Sequence, residues 1–114
     1  MTLNDFLKEK TKWNDEWIEG WHFTAPLSVP MIKCKDGFSF KVSIGENCGS
    51  IPSDNNTFPY THFGILSRAE IPIFDDWKAG YDDRLDMYIY AFVPEVEAEE
   101  LICMHGGLAN ESNN

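Results

Sequence analysis

The sequence predicts an α+β fold, a mostly antiparallel sheet of about four strands with a helix at each end. Three observations predict it. Segments with strand character follow one another with no βαβ rhythm. An Asp36-Gly37 turn joins two of them, and helical apolar periodicity is confined to the start of the chain and the stretch after Pro94.

Residues Asn4 to about Lys12 read as a helix, with Asn4 as N-cap, Asp5 in the first turn, Leu3, Phe6 and Leu7 as the apolar stripe, and Lys8, Lys10 and Lys12 near the negative end of the helix dipole. Trp13, Trp17 and Trp21 stand four residues apart, which lines one face if the helix continues to Gly20. Pro26 and Pro30 bracket an extended stretch. Val29 to Cys34 then forms the first strand, turned by Asp36-Gly37 through a type I′ turn into a second in which Phe38, Phe40, Val42 and Ile44 alternate with Ser39, Lys41 and Ser43. Residues Gly45 to Pro59 are rich in Gly, Pro, Ser and Asn and read as a long loop. Tyr60 to Leu66 is the third strand, and Ser67 to Asp86, broken by Pro72 and Gly80, is an irregular excursion. Met87 to Val93 reads as a central strand with both faces covered. Pro94 opens the terminal helix, which carries Val96, Leu101, Ile102 and Met104 into a Gly106-Gly107 stop, and the tail LANESNN reads as frayed.

With 114 residues, 43% of them hydrophobic and 14% aromatic, the chain is expected to form one domain that folds unaided. Apolar runs of only a few residues predict no membrane span, and the charged start MTLNDFLKEKTK is unlike a secretory signal, so the cytoplasm is the expected compartment. Three cysteines, Cys34, Cys48 and Cys103, form no C-x-x-C pair and are expected to be reduced. A net charge of −10 disfavours direct contact with nucleic acid or anionic membrane and favours a basic partner.

Chemistry-bearing residues are few. Cys34, Cys48, His62 and Cys103 lack the close ligand pairs of structural zinc sites, so no metal and no cofactor is expected. A nucleophilic Cys48 in the Gly-flanked NCGS loop, with His62 as base, defines the alternative of a small cysteine-dependent enzyme, but the acidic surroundings oppose a reactive thiolate. No nucleophile elbow, phosphate loop or zincin motif is present, and no catalytic residue is assigned. His105 is expected to assist the terminal carbonyls of the last helix, and His22 to be structural or exposed.

Charge is distributed unevenly. Met1 to Arg68 holds eight acidic and seven basic residues, whereas Ala69 to Asn114 holds eleven acidic and two basic, a balance of −9. Asp75, Asp76, Asp82, Asp83 and Asp86 surround Phe74, Trp77 and Tyr81, a pattern of aromatic anchors within a polar rim, while Glu95 and Glu97 open the last helix. The expected partner-binding residues are therefore Asp75, Asp76, Trp77, Tyr81, Asp82, Asp83, Asp86, Glu95 and Glu97. The loop and the helix start, joined by one strand, can lie up to roughly 25 Å apart.

The tryptophan-studded WNDEWIEGW and the closing MYIYAFVPEVEAEELICMHGG resemble small acidic accessory proteins of phages and mobile elements. That resemblance implies a stoichiometric inhibitor of a basic, nucleic-acid-binding host defence complex or toxin, as in anti-CRISPR or immunity proteins, and transfers no functional residue. A structural module that forms a homodimer through a sheet edge is the other alternative.

Overall fold

The computed structural model describes residues 2–45 and 48–109, with the backbone alone for residues 14–16, 18 and 21–28. In chain order the elements are α1 (Leu3–Lys10), β1 (Lys12–Ile18), β2 (Trp21–Ser28), β3 (Ile32–Lys33), β4 (Ser39–Ser43), β5 (His62–Ser67), a short 3-10 helix (Pro72–Trp77), β6 (Lys78–Asp82), β7 (Met87–Pro94) and α2 (Glu95–Met104). β3 to β7 form an antiparallel five-stranded sheet in the order β3-β4-β5-β7-β6, and β1 and β2 pair as a separate hairpin. The α+β architecture with a helix at each end is as the sequence predicts, with one more strand in the main sheet.

The start of α1 differs in detail. Thr2, not Asn4, is the N-cap: its hydroxyl accepts from the Asp5 amide while the Asp5 carboxylate reaches back to the Thr2 amide, a capping box. Asn4 is thereby released into the first turn, where it is buried.

The tryptophan segment is a β-hairpin and does not extend α1. The helix ends at Thr11, whose backbone is extended, and β1 follows at once. Glu19 and Gly20, both with positive φ, form the two-residue turn that sets Ile18 opposite Trp21. A spacing of four is a multiple of two, so it fits a strand face as well as a helix face, and Trp spacing could not distinguish them.

The turn after β3 also departs from expectation. Asp36 keeps negative φ, and only Gly37, at φ 100, is left-handed. The Gly37 amide donates to the Cys34 carbonyl and the Cys34 amide to the Phe38 carbonyl. This is a three-residue loop, a type I turn followed by a glycine bulge, which lets the Asp36 carboxylate accept from the Phe38 amide.

Alternation along the strands assigns the two faces. Phe40, Val42, Phe63, Ile65, Tyr90 and Val93 are buried in one core with Leu3, Phe6 and Leu7 of α1 and Ala98, Leu101 and Ile102 of α2, so both helices pack on this front face. Val96 and Met104, expected inside, are 70% and 61% exposed because the apolar stripe of α2 runs through positions 98, 101 and 102 instead. Gly106 and Gly107 end α2 with positive φ, the Gly107 amide donating to the Ile102 carbonyl.

Two regions expected to be irregular carry sheet structure. The excursion 67–86 contains β6, an edge strand bulged between Lys78 and Gly80. In the tail, Leu108 is buried and pairs with Cys34, and the Ala109 amide donates to the Lys33 carbonyl; residues 110–114 lie outside the described residues. β7 pairs with neighbours on both sides and its faces are largely covered, as expected, Phe92 being the one exposed residue along it. A bulge opposite Gly64 puts two residues, Ala91 and Phe92, against one, so the buried positions become Tyr90 and Val93. Phe92 is left at φ 59 and 50% exposed, its amide bonded to the Gly49 carbonyl.

Candidate binding surface

The expected partner-binding residues separate into three settings. Asp75 and Asp76 sit exposed on the 3-10 helix that Pro72 initiates. This helix is anchored from below by Phe74, which is fully buried and meets Tyr90 edge-on, and by the Tyr90 hydroxyl, which accepts from the Ile71 amide at 2.8 Å. Trp77 is half-buried, edge-on to Phe74 and packed against the core. Of the three aromatics, Phe74 is thus a core residue, Trp77 is part core and part surface, and Tyr81 is 46% exposed.

The second setting is the β6–β7 turn. Tyr81 lies opposite Tyr88, with ring centroids 5.1 Å apart, and donates to the Asp86 carboxylate. That bond, then burial and the Asp86 charge, push the Tyr81 phenol up to about 12. Asp82 accepts from the Arg84 and Leu85 amides. Desolvation alone would raise its carboxyl, but these two amides and the nearby Arg84 outweigh it and hold the group below its ordinary value. Asp83 is exposed, and Asp86 is exposed with φ 55. Among the described residues, no lysine or arginine pairs with Asp75, Asp76, Asp83 or Asp86; Lys78 pairs with Glu70 and Arg84 with Asp82.

The third setting is the start of α2, where carboxylates have intramolecular partners. Glu95 accepts from the Asn4 side-chain amide at 2.6 Å, and Glu99 from the Leu3 backbone amide at 2.7 Å. Asn4 also brackets Tyr60, donating to its carbonyl and accepting from its amide. Glu97 is half-buried on the same helix. Asp75 and Asp76 precede β6 and Asp82, Asp83 and Asp86 close or follow it, so the five form two groups at opposite ends of a strand about 13 Å long. Glu95 is instead turned toward α1.

The remaining candidates are dispersed. Cys34 is buried, Cys48 half-buried and Cys103 exposed, all free, and no metal-binding cluster of three or more ligands occurs among the described residues. Burial, then the Asp36 charge, push the Cys34 thiol up. The Cys48 carbonyl lies over Gly64, where a Cβ would sit 2.0 Å from it, so only glycine at position 64 lets Cys48 pack this closely on β5. His62 Nδ1 is 2.9 Å from the Thr61 hydroxyl. His105 does not serve the α2 carbonyls: its Nδ1 lies 2.6 Å from Asp36 Oδ2 and its ring stacks on Phe38 at 4.1 Å, tying α2 to the β3–β4 turn. The side chain of His22 lies outside the described residues.

Leu85 and Phe92 are exposed apolar residues that sequence reasoning passed over. Leu85 looked like one loop residue among many, and the exposure of Phe92 follows from a bulge that only the pairing with β5 defines. Comparison of the chain with protein-family models, with curated proteins and with solved structures gives no match.

Proposed function

We propose that the protein is a non-catalytic, stoichiometric inhibitor that docks its acidic β6 edge on the basic, nucleic-acid-binding surface of a host defence or toxin protein in the cytoplasm. The single observation carrying this reading is the set of exposed carboxylates at the two ends of β6, Asp75 and Asp76 at one and Asp83 and Asp86 at the other, beside the exposed Tyr81 and with no ion pair to a lysine or arginine among the described residues. Carboxylates spaced along an edge stand in for phosphates, and the aromatic ring supplies an anchor. Among the described residues no helix is long and apolar enough to cross a membrane, and three free cysteines fit a reducing compartment. Pairing two copies through β6 would set carboxylates beside carboxylates, which favours a basic partner over a homodimer.

The test is affinity capture from host lysate, at low and raised salt, with wild type and with Asp75→Asn/Asp76→Asn/Asp83→Asn. The expected result is a basic nucleic-acid-binding protein retained by the wild type at low salt, with capture reduced at least about tenfold by the substitutions and by salt. Equal capture by the two proteins would overturn the reading. Asp82 is left intact because its carboxylate holds the turn.

A further inference from the structure

We infer that the back of the main sheet is a second binding surface, one that takes an acidic amphipathic helix from a partner protein. Both helices of this chain pack on the front, and Leu66, Met87 and Ile89 lie outside the core they build. The strand register sets Lys33 opposite Ser39, Lys41 opposite Leu66, and Leu66 opposite Ile89, all on the back face. Arg68 follows the end of β5 directly and lines the same groove as Lys41. Lys33, Lys41 and Arg68 are exposed and have no ion-pair partner among the described residues. In a chain of net charge −10, three cations are thus collected on one side of the sheet.

Two partly apolar hollows lie beside them. A groove of about 370 Å³ lies between Met31, Lys41, Arg68, Leu85 and Met87. A shallower hollow of about 210 Å³ continues past Leu66 and Ile89 to Ala91 and Gly49. From the buried Met87 to Ala91 the strip runs about 13 Å, the length of two to three helical turns. The strands' backbone groups are already bonded within the sheet, so the face offers side chains only, which suits a helix laid across it and not an added strand. The half-buried Met31 supplies adaptable contact and Leu85 an exposed apolar one. The cations flank the strip on its β3–β4 side, with Lys41 level with Leu66 and Ile89, so the occupant carries its carboxylates along one flank and leucine-like residues beside them.

The surface is separate from the acidic edge, and the experiment keeps the two apart. A labelled synthetic helix of about three to four turns, with Leu at i, i+3, i+4 and i+7 and Glu along the adjacent flank, is titrated against the full chain by fluorescence anisotropy. A second peptide carries Lys in place of each Glu. Saturable binding of the Glu peptide is expected, at least about tenfold weaker for the Lys peptide and at least about tenfold weaker for Lys41→Glu/Arg68→Glu, with a smaller loss in Lys41→Gln/Arg68→Gln. Asp75→Asn/Asp76→Asn/Asp83→Asn is expected to bind the Glu peptide as the wild type does. Urea midpoints equal to wild type confirm that the substituted proteins are folded, and the neutral pair carries the test if the charge-reversed pair is not. No saturable binding to wild type, preference for the Lys peptide, or unchanged affinity in folded cation variants would overturn the inference.

Discussion

The two acidic segments carry the same kind of charge and use it differently. At the start of α2, Glu95 and Glu99 accept hydrogen bonds from Asn4 and from the Leu3 amide, so their charge fastens the N-terminal helix to the C-terminal one. Along β6, Asp75, Asp76 and Asp83 face solvent on short turns and hold nothing. Carboxylate density alone therefore does not mark a binding surface. What separates the two is whether a backbone amide or a buried amide side chain lies within reach.

The largest expected effect lies at the centre of the fastened segment. Asn4→Ala removes the groups that pair both the amide and the carbonyl of Tyr60, and it strands Glu95. Urea unfolding should show a loss of about 2–3 kcal/mol. Glu95→Ala and Glu99→Ala should each cost about 1–2 kcal/mol. Asp75→Asn and Asp76→Asn should stay within about 0.5 kcal/mol of wild type. Equal losses in the two sets would erase the distinction drawn between the segments.

Titration sharpens the same comparison. Tyr81, held up to about 12 by its bond to Asp86, has a folded-state value above its unfolded one. Its contribution is therefore fully present below the ordinary tyrosine range and is lost as pH rises through about 12. An ultraviolet titration should show, beside the buried Tyr60 whose phenol burial also pushes up, a late-ionising tyrosine that Tyr81→Phe removes and Asp86→Asn brings down. Asp36 has the opposite sign. The Phe38 amide, then the His105 ring, lower its carboxyl, so its contribution is present above the ordinary carboxylate range and is lost as pH falls through the folded value. The acid limb of a stability profile should be slightly flatter in Asp36→Asn than in wild type, the smallest of these effects because the site is exposed.

Legibility in the sequence followed the range of the physics involved. Patterns of short range were readable. The alternation in Phe38 to Ile44 sets which side of β4 is buried, and the glycines at 106 and 107 stop α2 through backbone freedom that other residues lack. The acidic set of the candidate site was readable as composition. Which of its members remain at the surface was not, because the docking of Asn4 on Tyr60 and Glu95 joins residues 56 and 91 positions apart. The tryptophan segment failed for a different reason, since a four-residue spacing satisfies period two and period 3.6 alike, and only the Glu19-Gly20 turn settles the hairpin.

By itself the sequence determined an α+β chain with a helix at each end, an antiparallel sheet between them, and negative charge concentrated after Arg68. The tertiary structure alone decided that β6 is an edge, that Phe74 is buried while Tyr81 is not, that Glu95 serves the fold, and that Lys33, Lys41 and Arg68 share one side of the sheet. Each of these depends on strand order and register, which arise from pairings between distant segments, and no local pattern of residues encodes which segment will be the neighbour.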